Sequence, residues 1–148
     1  MRFGFIFPMA SGHINPSLPI ARALVEKGHE VHYLCREQMR EAIEDTGAFF
    51  HSEISEMPEL YEGRNPDIFG AIQDLQKEYG LEDESLMRAM MKLREIVGEM
   101  MLPGLLRWLR RQRIQVLLCC PLMNREAAWG AKLVDIPCVG LMTTAGRT

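Results

Sequence analysis

The chain has 148 residues, of which 47% are hydrophobic and 25% charged, so it carries enough apolar material for one core and its composition argues against disorder. Its formal net charge of -3 argues against nucleic-acid binding, because a phosphate-binding domain normally carries a net basic face. Met1 and Arg2 lead straight into a short apolar strand without the long apolar segment of a secretory signal or a transmembrane span. We therefore expect a cytoplasmic protein.

The first fifty residues alternate between short apolar runs and amphipathic segments. Residues 2–8 form a nearly continuous apolar run, as expected of a parallel strand covered on both faces. The next predicted elements are a helix that Pro16 and Ser17 open and that ends at Lys27, a strand over 31–35, a helix over 37–46 and a strand over 48–51. Because this succession needs right-handed crossovers, it predicts an α/β fold, a Rossmann-like parallel sheet with helices on both faces.

The middle of the chain predicts a surface excursion followed by a long helix. Residues 53–83 contain prolines, glycines and many acidic side chains, with one short helix expected around 67–79; such a segment either shapes a binding cleft or is simply solvated. From Ser85 a long amphipathic helix is expected, which Pro103 interrupts or restarts. Its apolar residues recur at helical spacing: Leu86, Met90, Leu93, Val97, Met100 and Met101. The methionines either pack in the core or line an apolar pocket.

The last third predicts a strand over 114–119, a helix over 125–134 and a strand over 138–141. A basic cluster closes the long helix: Arg107, Arg110, Arg111 and Arg113. These cations complement the helix dipole, or they contact a membrane surface or a partner.

The four cysteines lie in or beside predicted strands and lack the spacing of metal ligands: Cys35, Cys119, Cys120 and Cys138. We interpret them as small buried residues in a reducing compartment. In a regular strand Cys119 and Cys120 point to opposite faces, which argues against their pairing.

The loop after the first strand carries the candidate chemistry. It contains Ser11, Gly12 and His13, and in an open α/β sheet it faces the crevice where ligands bind. Gly12 allows a sharp turn beside a ligand, and a neutral imidazole at His13 could take a proton from a substrate hydroxyl. Alternatively, His13 caps the following helix or fills the loop. The other histidines have no local partner set and are interpreted as structural or surface residues: His29, His32 and His51.

Three motifs are absent from the sequence. The first loop lacks the G-x-G-x-x-G of a dinucleotide site, and no G-x-x-x-x-G-K-[ST] phosphate loop occurs. No G-x-S-x-G element offers the nucleophile of an α/β-hydrolase. Nucleotide binding by those two modes and serine hydrolysis are therefore disfavoured.

Two linked motifs resemble a known family. Gly12-His13-Ile14-Asn15-Pro16 followed by Lys27-Gly28-His29-Glu30-Val31 looks like the opening of the UDP-glycosyltransferase family, nucleotide-sugar-dependent enzymes of the GT-B fold. The step Val134-Asp135-Ile136-Pro137-Cys138-Val139 is similar to the family's later helix-to-strand transition. The resemblance implies that residues 1–148 are a partial amino-terminal, acceptor-binding domain, roughly a third of a usual member, and that the carboxy-terminal donor-binding domain is absent.

The resemblance also implies a reaction. The family transfers a sugar from a UDP-sugar to a hydroxyl of a small lipophilic acceptor with inversion and without an active-site metal, and His13 takes the position of the general base. Ser11, Gly12 and Asn15 then belong to the loop beside that base which contacts the acceptor and the donor. The nucleotide sugar is a co-substrate held mainly by the absent domain, no other cofactor is expected, and this chain alone is expected to be inactive.

One feature departs from the family pattern. Many members place an aspartate after the fourth strand to orient the histidine, as a carboxylate does in a His-Asp dyad. Counting back without gaps from Pro137, that position falls near Cys120 and Pro121, and residues 114–134 contain no aspartate. The nearest carboxylate, Glu126, lies inside a predicted helix and could point elsewhere.

Three functions stay open at this point. The chain is the amino-terminal part of a UDP-sugar-dependent transferase, or the acceptor half of a split enzyme completed by a donor-domain partner chain, or a non-catalytic small-molecule-binding or regulatory domain. The absent aspartate favours the last, and the intact His13 loop argues against it.

Overall fold

A computed structural model describes residues 1–142 and shows one sheet. Its strands are β1 (Arg2–Ile6), β2 (Glu30–Cys35), β3 (Phe49–Ser52), β4 (Val116–Cys119) and β5 (Cys138–Gly140). They lie in the order β3-β2-β1-β4-β5, and every neighbouring pair is parallel. The predicted parallel α/β sheet is confirmed.

Helices connect these strands. The α-helices of the described residues are α1 (Ser11–Ile14), α2 (Ser17–Glu26), α3 (Arg40–Glu44), α4 (Glu53–Glu56), α5 (Pro58–Tyr61), α6 (Ile72–Glu78), α7 (Leu86–Arg111) and α8 (Arg125–Leu133). A 3₁₀ turn over Glu37–Met39 runs directly into α3, so the helical segment predicted over 37–46 is present as two short pieces.

The sheet separates two apolar cores because successive strand residues point to opposite faces. Ile6 and Leu34 pack in the core beneath α4 to α8, whereas Phe5 and Tyr33 pack in the core beneath α2 and α3. Helices therefore cover both faces, as predicted. Among residues 1–142, no helix combines the length and the apolar character needed to cross a membrane.

The long helix α7 runs unbroken over 26 residues, so the predicted interruption at Pro103 is wrong. Packing on neighbouring elements compensates for the backbone hydrogen bond that a proline cannot make. The backbone of α7 approaches α4 so closely at Gly104 that a Cβ there would overlap the Glu56 carbonyl oxygen. At Gly98 a Cβ would lie 2.9 Å from the Trp129 ring, so α7 is also pressed against α8.

The excursion over 53–83 is more helical than predicted. Besides α6 it contains α4 and α5, since Ser52 caps α4 by accepting a hydrogen bond from the Ser55 amide and Pro58 begins α5 at its first position. Two members of the predicted basic cluster tie this segment to α7: Arg107 pairs with Glu59 at 2.7 Å, and Arg111 pairs with Glu56.

Two histidines have partners that the sequence did not suggest. His32 Nδ1 lies 2.9 Å from His51 Nε2, and His32 Nε2 lies 3.2 Å from a Glu30 carboxylate oxygen. The expectation of no local partner set is wrong for both, because β2 and β3 bring them side by side. Burial and the nearby His32 lower the pKa of His51.

Three of the four cysteines are buried as predicted, but Cys138 is exposed because β5 lies at the edge of the sheet. Its Sγ lies 3.7 Å from that of Cys119. Cys119 and Cys120 belong to different cores, which confirms that they point to opposite faces of the sheet.

Candidate functional site

The candidate site lies at the carboxyl edge of the sheet, between β1 and β4. The chain leaves β1 toward β2 on one side, and β4 lies on the other side, so the loops after β1 and β4 diverge. In open parallel sheets such a change of direction creates the crevice in which ligands bind. His13 follows β1 and Cys120 follows β4, so both residues reach this crevice.

The segment that carries His13 is helical. The tight loop expected there contains the four-residue helix α1, and Gly12 lies inside it without the positive φ of a glycine turn, so its expected role in a sharp turn is wrong. Ser17 fixes the segment, since its hydroxyl donates to the Ile14 carbonyl at 2.6 Å and lies 2.6 Å from the Tyr33 hydroxyl. This buried pair holds the junction of α1 and α2 against β2.

His13 has one side-chain partner in the described part of the chain. Its Nδ1 lies 3.3 Å from the Sγ of Cys120, which is 1% exposed. This is the position at which ungapped counting placed the missing aspartate. No sequence motif pairs the two residues, and the ungapped count from Pro137 is the signal that could have predicted their contact.

A thiol does not replace a carboxylate in this position. Imidazole nitrogen is a better hydrogen-bond acceptor than thiol sulfur, so we expect the Cys120 S–H to donate to Nδ1 and the imidazole proton to lie on Nε2. A carboxylate would instead accept a hydrogen bond from Nδ1–H and leave Nε2 free to take a proton. The Cys120 thiol therefore orients the His13 ring. It favours the tautomer whose proton lies on Nε2, and that tautomer cannot take a proton from a substrate at Nε2.

The other residues of the predicted loop stay at the surface. Ser11, Gly12 and Asn15 are exposed, and the only hydrogen bond that joins them within the described residues runs from the Asn15 amide to the Ser11 carbonyl. The structure thus brings His13 and Cys120 together and leaves the remaining loop residues free to contact a ligand.

An apolar cleft opens beside this pair, with a volume of about 320 Å³. Its walls include Phe69, Met87, Met90, Met91, Met101 and Met123. Pro8 and Met9 reach it from the loop that carries His13, and Leu122 reaches it from the loop that begins with Cys120. The methionines of α7 thus serve both roles that the sequence left open: Met101 packs in the core, and Met87 and Met91 are exposed in the cleft.

Polar side chains lie at the base of the cleft, where β2, β3 and β4 end. Glu126 was the carboxylate considered as a partner for His13, but it lines this cleft and accepts a hydrogen bond from Asn124 Nδ2 at 3.0 Å. It is 2% exposed, and burial raises its pKa to about 7. Burial also raises the pKa of Glu53, whose carboxylate accepts a hydrogen bond from the Tyr61 hydroxyl at 2.6 Å.

Among residues 1–142, two buried polar atoms at this base have no hydrogen-bond partner: Nε of Arg36 and Oδ1 of Asn124. The Arg36 guanidinium lies over the Tyr61 ring, 5.6 Å from its centroid. Within residues 1–142, no group of three or more histidine, cysteine, aspartate or glutamate residues has an arrangement that could hold a metal ion.

Sequence comparisons match short segments of known proteins. No protein-family model matches the chain. It is 44% identical over 45 residues to the uncharacterized UDP-glucosyltransferase YdhE of Bacillus subtilis, a segment that spans 30% of this chain and 11% of that protein. It is 43% identical over 37 residues to 4'-demethylrebeccamycin synthase of Lentzea aerocolonigenes, or 25% of this chain and 9% of that protein.

Comparison of folds extends the likeness over nearly the whole chain. The glycosyltransferase of kitacinnamycin superimposes with a TM-score of 0.66 at 22% identity, over 97% of this chain and 30% of that one. SnogD of Streptomyces nogalater gives 0.61 at 23% identity, over 97% and 34%. Spinosyn rhamnosyltransferase SpnG, complexed with thymidine diphosphate, gives 0.61 at 17% identity, over 93% and 33%.

The fold is that of the amino-terminal part of GT-B glycosyltransferases. Among proteins of that class, the sequence matches are to UDP-glucosyltransferase-like proteins, which confirms the resemblance drawn from the Gly12 to Val31 motifs. The chain spans about a third of the length of these solved structures.

Proposed function

We propose that residues 1–148 form part of the amino-terminal, acceptor-binding domain of an inverting glycosyltransferase that moves a sugar from a UDP-sugar to a hydroxyl of a small lipophilic acceptor. The observation that carries this proposal is the position of His13, on the loop that both opens at the β1–β4 crevice and walls the apolar cleft. The similarity to UDP-glucosyltransferase-like sequences supports the donor class.

In the proposed reaction, His13 reacts as the tautomer that carries its proton on Nδ1, and its Nε2 removes the proton of an acceptor hydroxyl as the hydroxyl oxygen attacks the anomeric carbon of the sugar. The new carbon–oxygen bond forms on the face opposite the nucleotide diphosphate, whose bond to the anomeric carbon breaks. The proton passes to His13, and the nucleotide diphosphate leaves with the bonding electrons. A positioned base of this kind contributes about 10²- to 10⁴-fold to a rate.

The proposed division of labour assigns the nucleotide sugar to a second, donor-binding domain. That domain is either a further part of the same protein or a separate partner chain, and without it residues 1–148 bind acceptor but transfer nothing. The free thiols of the buried Cys35, Cys119 and Cys120 fit a cytoplasmic location, which we include in the proposal.

A second candidate is a non-catalytic binding domain. The Cys120 thiol favours it, because it stands where a carboxylate would activate the base and is expected to leave the proton on Nε2. Such a domain would keep the cleft and its ligand while losing transfer.

The test uses the protein purified from the cells that make it. UDP-glucose and a panel of phenols are supplied, and the glycoside is detected and its anomeric configuration assigned by NMR. In His13→Ala and His13→Gln, we expect kcat to fall by about 100-fold or more with an unchanged melting temperature. His29→Gln, at the opposite end of the sheet, is the matched control and keeps its rate.

Activity retained in both His13 variants would contradict the assignment of the base. Absence of transfer by the wild-type protein, together with measurable phenol binding, would favour the non-catalytic domain instead.

A further inference from the structure

The base of the methionine-walled cleft is an incomplete hydrogen-bonding site. Arg36 and Asn124 are each 6% exposed and line the cleft, and each has a buried polar atom without a partner in the part of the chain that the structure describes. Buried polar groups are nearly always paired, because leaving one unpaired forfeits its interaction with water. The two atoms are opposite in kind, since Arg36 Nε–H is a donor and Asn124 Oδ1 is an acceptor.

We infer that this cleft takes an apolar ligand with one neutral hydrogen-bonding end, a hydroxyl or an amide, which accepts from Arg36 and donates to Asn124. The inference rests on the proposed function only in naming this ligand the acceptor substrate. His13 does not line the cleft, so the buried end is an anchor and differs from the hydroxyl that would receive the sugar.

The polar groups around the base favour a neutral ligand end over an ionic one. A ligand carboxylate would satisfy Arg36 and would be attracted by Arg94 and Arg125, which also line the cleft. However, it offers no donor and would leave Asn124 Oδ1 unpaired beside the carboxyl groups of Glu53 and Glu126. A ligand ammonium offers only donors and would leave Arg36 Nε–H unpaired beside a second positive charge. A hydroxyl both accepts and donates through one oxygen, and an amide does so through its carbonyl and its N–H.

The neighbouring bonds leave these two atoms to the ligand. Asn124 already uses its Nδ2 to donate to Glu126, which fixes the side-chain amide and leaves Oδ1 open. Tyr61 uses its hydroxyl on Glu53, so it does not compete for Asn124 Oδ1. The walls above are mostly methionine, whose flexible side chains adapt to an apolar body of varied shape.

The experiment measures binding of three probes with one carbon skeleton to the chain by calorimetry, without any sugar donor. The probes are 2-naphthol, 2-methylnaphthalene and 2-naphthoate, which present a hydroxyl, a methyl group and a carboxylate at the same ring position. We expect 2-naphthol to bind about 10-fold or more tightly than either of the others, because a site built for a hydroxyl rejects analogues that lack it.

Variants separate recognition from packing. Arg36→Met keeps an apolar side chain of similar length, and we expect it to reduce the preference for 2-naphthol over 2-methylnaphthalene to about 3-fold or less. Arg22→Met removes the same charge from an exposed position on α2, outside the cleft, and keeps the preference. We expect the melting temperature of Arg36→Met to stay close to that of the wild type, because removal of the unpaired buried donor offsets the loss of the guanidinium contact with the Tyr61 ring.

The wild-type result alone can overturn the inference. Equal binding of 2-naphthol and 2-methylnaphthalene, tightest binding of 2-naphthoate, or binding of none of the probes would each refute it. A large fall in melting temperature for Arg36→Met would make Arg36 a structural residue and also refute it. His13→Ala must retain the probe preference, so a failure of the proposed transfer reaction is distinguished from a failure of this inference.

Discussion

Replacing Cys120 with aspartate tests how the His13 imidazole is held. The Cys120 Sγ lies 3.3 Å from His13 Nδ1, so a carboxylate at this position would reach the same nitrogen and accept a hydrogen bond from Nδ1–H. The imidazole proton would then lie on Nδ1 instead of Nε2, and Nε2 would be free to act as a base. We expect Cys120→Asp to raise kcat/KM and Cys120→Asn, which has the same size without the charge, to raise it much less.

The magnitude follows from the separation and the burial. Two opposite unit charges about 4 Å apart attract by about 4 kcal/mol at an effective dielectric constant of about 20. Cys120 is 1% exposed, so transferring a carboxylate to this site offsets part of that attraction. We expect a net stabilisation of the imidazolium form of about 1.4 to 2.8 kcal/mol, which corresponds to a gain of about 10- to 100-fold in rate.

The assay has two parts. Long-range proton–nitrogen NMR of the imidazole, assigned with His13→Gln, reports which ring nitrogen carries the proton and needs no sugar donor. We expect the proton on Nε2 in the wild type and on Nδ1 in Cys120→Asp. The rate of transfer from UDP-glucose is then compared in the same variants.

A wild-type spectrum with the proton on Nδ1 would refute the assignment of the thiol as donor. A folded Cys120→Asp variant whose tautomer and rate match those of Cys120→Asn would refute the expectation that a carboxylate at position 120 shifts the His13 proton to Nδ1 and raises the rate. Thermal melting of both variants shows whether the comparison is made between folded proteins.

Three further predictions concern stability and reactivity. Gly104→Ala should lower the free energy of unfolding by about 2 kcal/mol or more in urea titrations, because the added Cβ overlaps the Glu56 carbonyl oxygen. Gly12→Ala, whose added Cβ meets open space, should lower it by less than about 0.5 kcal/mol. Equal effects of the two substitutions would contradict the close packing of α7 on α4. Burial raises the pKa of Glu126 to about 7, so the folded state holds a proton that the unfolded state loses above about pH 4.5, and stability should fall by about 3 kcal/mol as pH rises from 4.5 to 7. Glu126→Gln should remove that part of the slope in urea titrations at several pH values, and an unchanged slope would show that other groups cause it. Iodoacetamide should modify Cys138 before the other cysteines, since this thiol is exposed and its hydrogen bond with Cys119 lowers its pKa to about 7. Peptide mass spectrometry measures the modification of each cysteine, with Cys138→Ser as the control. Faster modification of another cysteine would contradict the prediction.

Local patterns predicted most of the sheet. The sequence predicts parallel pairing because helices alternate with the strands that follow the apolar run of β1. A helix between two strands returns the chain to the end of the sheet at which the first strand began, so the next strand runs in the same direction. The continuity of α7 could not be read in the same way. A proline such as Pro103 normally ends a helix, and the unbroken α7 packs closely on α4 at Gly104, a contact between residues far apart in sequence that no local pattern predicts.

The candidate site was predictable only in part. The position of His13 follows from the first strand and its loop, but its pairing with Cys120 joins residues 107 apart and depends on β4 lying beside β1. The base of the cleft was not predicted, because Arg36, Asn124 and Glu126 are ordinary surface types by composition. They come together because β2 and β4 end at the same edge of the parallel sheet, and these residues follow those strand ends.

The helix α7 presents different residues to the core and to the cleft within the same turns. Ala89 and Leu93 are buried in the core, whereas Met87 and Met91 are 66% and 63% exposed and line the cleft. A substitution at either methionine therefore reshapes the pocket without opening a void in the interior. Ligand preference can diverge in this protein at little cost in stability, so a library confined to these two positions should yield folded variants with altered selectivity.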